Sequence, residues 1–208
     1  MRKKILPIPL ILLIPIVMLL VVIVAGLYRF SLNDHEIMAK FPSQQVKTDT
    51  IVELLTGKKT TNPITIIVPE TKAFALISEL DVQQQIATGG YDSGAERGIA
   101  TVWLAHWHSL EARSSSLYVA PVSVSNQGSG RFYYLGLFKF DALPQRLVMV
   151  DAIYLGDRIH IKSLEKVDED GIAVVFNTHD SGQSFVEQPV KRVERHFTVD
   201  ENKLKSAK

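Results

Sequence analysis

The chain of 208 residues has no cysteine, and that absence excludes disulfides, thiol catalysis, cysteine-ligated zinc and a cysteine-linked lipid anchor. It has little net charge, with 23 Lys and Arg against 22 Asp and Glu. Setting aside Arg2, Lys3 and Lys4 leaves 20 basic residues against those 22, so bulk electrostatics offers no basis for nucleic-acid binding. Internal repeats and low-complexity tracts are also missing. The length then suits one anchor and one globular domain.

What is present begins with a basic tip, Met1-Arg2-Lys3-Lys4, and an uncharged run from Ile5 to Tyr28. A helix of about 20 apolar residues spans a hydrocarbon core of about 30 Å. Pro7 and Pro9 fall near the start of the run, and Pro15 is expected to kink it. Val24-Ala25-Gly26 is a poor cleavage site and the apolar region is long for a signal peptide. Residues 1–28 are therefore read as a cytoplasmic tip and a transmembrane signal anchor. The basic tip places residues 29–208 outside the cytoplasm. The expected location is the bacterial inner membrane, single-pass, with a periplasmic C-terminal domain. Residues 29–62 read as a partly helical linker. Asn33 caps one helix running to Phe41 and stopped by Pro42. Thr48 or Asp49 caps a second, carrying Ile51, Val52, Leu54 and Leu55 and ended by Gly57. The β-rich domain covers 63–200, followed by a flexible tail, 201–208.

The fold class predicted is α+β and β-rich: an N-terminal transmembrane helix, then a mostly antiparallel meander of about seven to eight strands with one to three short helices. Ile64 to Val68 is a β-branched strand. Residues 71–85 fit a helix or a strand equally. Gly89 to Gly94 reads as a loop. Further strands are predicted at Ile99–His106, Leu117–Ser125, Phe132–Phe140, Leu147–Leu155, Arg158–Val167, Ile172–Thr178 and Val190–Val199. Pro121 requires an edge or a bulge, and the charges on the last strand suit a guarded edge. The sharpest local expectation is a hairpin closed by Gly156-Asp157, with positive φ at Gly156 and Asp151 opposite Lys162.

The residues Gly128-Ser129-Gly130-Arg131-Phe132-Tyr133-Tyr134-Leu135, then Tyr154-Leu155-Gly156-Asp157-Arg158-Ile159, Ile161, Ser163-Leu164, Thr178-His179 and Pro189, resemble a group of uncharacterised bacterial exported proteins and lipoproteins. The resemblance covers about the C-terminal 80 residues. It implies a shared extracytoplasmic fold and no established catalytic residues. Many relatives carry an acidic loop before the Gly-Ser-Gly element, where this chain has Leu110 to Ser116. Some carry cysteines after the Thr-His element, where it has Ser184 to Pro189. Neither metal binding nor a disulfide carries over.

Candidate chemistry is sparse. Asp92-Ser93-Gly94 and Asp180-Ser181-Gly182 match the paired loops of aspartic proteases, in which two carboxylates share a proton, but these three residues also make ordinary turns. His106 and His108 have the spacing for one face of a strand and one zinc ion, with Glu111, His160, His179 or His196 as a third ligand. Asp168-Glu169-Asp170-Gly171 is a fragment of a calcium loop with Asn177 where a glutamate is needed. Ser114-Ser115-Ser116 and Ser129 lack a nucleophile elbow, and Gly128-Ser129-Gly130 lacks the helix and lysine of a phosphate loop. Asp157 and Arg158 belong to the expected hairpin tip. Phe132, Tyr133, Tyr134, Phe138 and Phe140 place aromatics on both faces of one strand. No catalytic, cofactor or metal residue is assigned, and no cofactor is expected. The reading is a membrane-anchored, non-catalytic binding or assembly module with an envelope protein or cell-wall partner. The alternatives are a subunit of a secretion- or pilus-type machine and a hydrolase using Asp92/Asp180 or histidine-bound zinc.

Overall fold

A computed structural model describes residues 10–31, 48–112, 115–168 and 171–207. The expected helix from Asn33 to Phe41 and the residues Arg2, Lys3, Lys4, Ser114, Glu169 and Asp170 lie outside them. The chain divides into two units, Met1–Lys47 and Thr48–Lys208.

The first unit contains α1 (Leu10–Ser31), with Pro15 inside it. The expectation of a transmembrane helix is corrected here: among the described residues no helix is long and apolar enough to cross a membrane.

The second unit opens with α2 (Thr50–Thr56). Its ends are encoded locally. Asp49 accepts a hydrogen bond from the Val52 amide at 2.9 Å, and Gly57 closes the helix at φ 68°. Ile51 and Val52 then enter a buried core.

Among the described residues thirteen strands follow: β1 (Ile64–Ile67), β2 (Phe74–Ile77), β3 (Glu79–Asp81), β4 (Ile86–Asp92), β5 (Arg97–Trp103), β6 (His108–Ala112), β7 (Ser115–Asn126), β8 (Arg131–Asp141), β9 (Arg146–Asp157), β10 (His160–Lys166), β11 (Gly171–Thr178), β12 (Lys191–Asp200) and β13 (Lys203–Ser206). They form two sheets, which replaces the expected single meander. The nine-stranded sheet runs β2-β1-β9-β8-β7-β5-β4-β3, with β6 also on β7. Its two ends are one piece of chain. β2 pairs with β1, the chain bends at Ser78, and β3 pairs with β4. The Ser78 amide donates to the Thr88 carbonyl at 3.0 Å and carries the ladder through the bend. The sheet therefore curls into a nearly closed barrel. The ambiguous 71–85 segment is two short strands at this corner.

The corner explains Gly89, which lies within β4 and not in a loop. A Cβ there would sit 2.1 Å from the Leu76 carbonyl oxygen. Only glycine lets β2 pass this close. Pro121 is tolerated in the long interior strand β7 for a related reason. β5 accompanies β7 from Val122 onward and β6 accompanies it up to Val119, so Pro121 falls where one neighbour has ended and the next has begun.

Strands β7 to β9 are apolar on both faces. One face lines the barrel with Tyr118, Val122, Tyr134, Phe138, Leu147 and Met149. The other contributes Leu117, Val119, Leu135, Leu137 and Leu155 to a second core with Ile161, Val174, Phe176 and Phe197 of the four-stranded sheet β10-β11-β12-β13. Each large side chain buried this way stabilises the fold by about 1.5–3 kcal/mol.

The expected hairpin at Gly156-Asp157 does not form. β9 pairs with β8, and β10 pairs with β11 in the other sheet, so the segment is a crossover. The positive φ falls on Arg158, at 49°. Asp151 accepts from the Leu204 amide at 2.7 Å and does not face Lys162. Two further expectations change. β12 lies inside its sheet, and part of the tail forms the edge strand β13.

Gly89→Ala is expected to destabilise the domain by about 3 kcal/mol or more, because the methyl meets backbone that cannot move aside. Chemical denaturation of the variant checks this; an unchanged midpoint would rule out the corner geometry.

Candidate binding site at the barrel seam

The two ends of the barrel differ. At one end the connector after α2 is tied to the β8–β9 turn: Thr60 Oγ1 donates to the Gln145 carbonyl, and Asn62 Nδ2 donates to the Pro144 carbonyl at 2.9 Å. Lys58 reaches Ser116 Oγ at 2.7 Å on the same side. The other end carries the turns after β1, β4 and β7. Here three phenols meet two carboxylates. Tyr134 donates to Glu70, and its ring lies 5.5 Å from that of Tyr154, tilted by 58°. Tyr91 donates to Glu96 at 2.8 Å, and Asn126 Nδ2 holds the other oxygen of Glu96 at 3.1 Å.

These phenols hold their protons tightly. Burial, then the hydrogen bond to Glu96 and the charges of Glu96 and Glu70, push Tyr91 up to about 12. Burial and the bond to Glu70 raise Tyr134 well above the usual phenol range. Burial, with the charges of Asp157 and Glu70, raises Tyr154.

Between the ends, the barrel is open along one line. β1 and β9 run parallel but are joined at a single bridge, Thr65 to Val148. Beyond it the chain turns away at Pro69 and Lys72, the latter at φ 59°. The gap is a groove of about 320 Å³ lined by Ile67, Pro69, Lys72, Met149, Val150, Asp151 and Ala152. That is at the lower end of the range for ligand sites, about 300–1,000 Å³. Glu70, which accepts from Tyr134, follows Pro69 directly in the chain.

The residues singled out by sequence are dispersed. Asp92 accepts from the Gly94 amide at 2.7 Å and pairs with Arg97 at 2.7 Å. Those two contacts hold its carboxyl below the ordinary carboxylate range. Asp180 accepts from the Ser181 amide at 2.9 Å and from Lys191 at 3.4 Å, with the same consequence. Each carboxylate is engaged in its own turn, on a different sheet. A dyad that shares a proton requires the reverse, one carboxyl raised by the other.

His106 ends a 3-10 turn, Leu104–His106, and His108 begins β6, so the two do not share one strand. Burial, and then the neighbouring charge of His108, lower the His106 pKa. His160, His179 and His196 belong to the segments of the second sheet, and the side chain of Glu111 lies outside the described residues. Among the described residues no group of three His, Asp or Glu is placed to hold a metal ion. Asp157 and Arg158 serve the crossover. Asp157 Oδ1 accepts from the Arg131 amide at 2.9 Å, Oδ2 pairs with Arg158 at 2.9 Å, and the Arg158 guanidinium lies 4.1 Å from the centre of the Phe185 ring. Gly128-Ser129-Gly130 is a turn held by Asn126, whose Oδ1 accepts from the Gly128 amide. Phe138 and Tyr134 are barrel core, and Tyr133 faces the second sheet.

Sequence reading missed Glu70, Glu96 and the seam. The aromatic residues were visible, but the carboxylates lie 64 and 5 residues from their phenols, in turns of no distinctive pattern. No family model, curated protein or solved structure matches the chain.

Because the folded state holds the phenolic protons more tightly than an unfolded chain, whose phenols titrate near pH 10, stability is complete below about pH 10 and falls as pH rises toward about 12. Glu70→Gln is expected to move the phenol midpoints back down. Ultraviolet titration of the tyrosines checks both. Midpoints near 10 for all six tyrosines of the wild type would contradict the cluster.

Proposed function

We propose that the protein is a non-catalytic binding or assembly module of the bacterial cell envelope, whose partner engages the groove between β9 and the β1–β2 turn. The observation that carries this reading is the seam. The Ser78 amide carries the barrel ladder through the bend between β2 and β3, whereas β1 and β9 hold one bridge and then part. A strand with one edge left partly unpaired beside a groove is a surface suited to another molecule.

The envelope assignment draws on the basic N-terminal tip and on the resemblance of the C-terminal part to exported proteins. It also draws on the aliphatic surface of α1, where Ile14, Val17, Met18, Leu20 and Val22 are exposed. Such a surface favours an apolar phase or a partner over water. Attachment by this surface is proposed without a bilayer-crossing helix.

Two experiments test the proposal. Alkaline phosphatase fused to the C-terminus should be active, and an inactive fusion would place the domain on the other side of the membrane. A photo-crosslinking residue at Val150 should give discrete adducts in cells, and one at Leu143, exposed on the β8–β9 turn, should not. The variants Asp92→Asn, Asp180→Asn and His106→Ala/His108→Ala should leave those adducts unchanged. Identical labelling from Val150 and Leu143 would remove the seam from the proposal.

A further inference from the structure

The backbone at the seam specifies what fits it. Between Asp151 and Tyr154, β9 keeps a continuous register with β8, Tyr134 opposite Tyr154 and Gly136 opposite Ala152. The Tyr154 carbonyl accepts a hydrogen bond from Arg195 Nη1 at 3.1 Å, so it points away from β8. In an antiparallel ladder the N–H and C=O of one residue point the same way, and the direction alternates along the strand. The N–H and C=O of Ala152 and Tyr154 therefore face the seam. β1 does not meet them, because its bridge to β9 lies back at Val148.

The open edges of the second sheet are blunted. β13 has only four residues and carries Lys203 and Lys205, and β10 is broken by a bulge between Ile161 and Ser163. At the β9 seam Arg195 covers one carbonyl. The walls combine the apolar side chains of Ile67, Pro69, Met149, Val150 and Ala152 with a comparable polar surface. Asp151 is engaged with the Leu204 amide, and among the described residues Lys72 has no ion-pair partner.

We propose that the seam accepts an extended segment of a partner protein, which adds as a strand to the free edge of β9 and completes the barrel. This rests on the reading of the groove as the binding site. The added strand pairs with the amide and carbonyl of Ala152 and the amide of Tyr154, and takes the place of Arg195 on the Tyr154 carbonyl. Its alternate side chains pack on Ile67, Met149 and Val150, and an acidic residue meets Lys72. Arg195 is a gate residue that must release the Tyr154 carbonyl before the strand can zip past it.

The test uses the full-length chain in detergent and a phage-displayed library of random dodecapeptides as the probe, with selection against Val150→Arg to discard peptides that bind elsewhere. Selected peptides should be apolar at alternate positions and carry an acidic residue. Bound peptide should slow amide exchange at Ala152 and Tyr154 by about tenfold or more. N-methylation of alternate peptide amides on the edge-facing side should abolish binding. Ala152→Pro, which removes an N–H not used by β8, should weaken binding by about tenfold, and Arg195→Ala should strengthen it several-fold. Seam-specific peptides that tolerate N-methylation and give no protection would overturn strand addition and leave the groove as a side-chain binding site. Adducts from Val150 in cells, with no seam-specific peptide selected, would also overturn it. So would dimerisation through the seam at the expense of peptide, which would make a second copy the occupant.

Discussion

Strand β8 is buried on both faces from Tyr133 to Phe138, and this constraint organises the domain. A strand with one polar face can lie at a surface, but one with two apolar faces needs cover on each side. The chain meets the need twice. On one side the sheet curls back and puts Tyr134 and Phe138 inside a barrel. On the other, Tyr133, Leu135 and Leu137 are covered by the sheet of β10 to β13. The crossover at Asp157-Arg158 follows directly, since the chain must leave the barrel sheet to lay the second sheet over its outer face. The Asp157 carboxylate on the Arg131 amide and the Arg158 guanidinium on Phe185 hold that change of direction.

Closing the barrel depends on one strand serving two neighbours. β2 and β3 form a single bent segment, and Gly89 supplies the room for the bend. Because the ladder is carried through this corner, the weak point is displaced to the parallel junction of β1 and β9. A parallel junction there needs β1 to continue straight, yet Pro69 lacks an amide and the chain turns back within a few residues to start β2. The seam is therefore a consequence of the closure, and the proposed binding groove lies where the ladder fails.

The protonation pattern separates this end of the barrel from the residues that looked catalytic by sequence. Asp92 and Asp180 are ionised turn residues, each held by its own amide and cation. The phenols of Tyr91, Tyr134 and Tyr154 are kept neutral by burial and adjacent carboxylates. Neutral phenols donate hydrogen bonds and present apolar rings, a combination suited to recognition.

Much of the fold was legible from local pattern. The strands from Leu117 to Val199 were anticipated to within a few residues, and so was α2 with its Asp49 and Gly57 caps. These features depend on residues within a few positions of one another: side-chain alternation, a capping oxygen, a glycine able to take φ 68°. The partners of those strands were not legible. Gly156-Asp157 has the composition of a tight turn, but both adjoining strands gain more by pairing with β8 and β11 than with each other. Gly89-Gly90 reads as a loop until Leu76 is found against it, and β13 reads as a tail until β12 pairs with it. The sequence by itself determined which segments are extended and which faces are apolar, because alternation and capping act over a few residues. Only the tertiary structure decided which edges meet, where the barrel stays open and which carboxylates reach the phenols, because those outcomes depend on contacts between segments far apart in the chain.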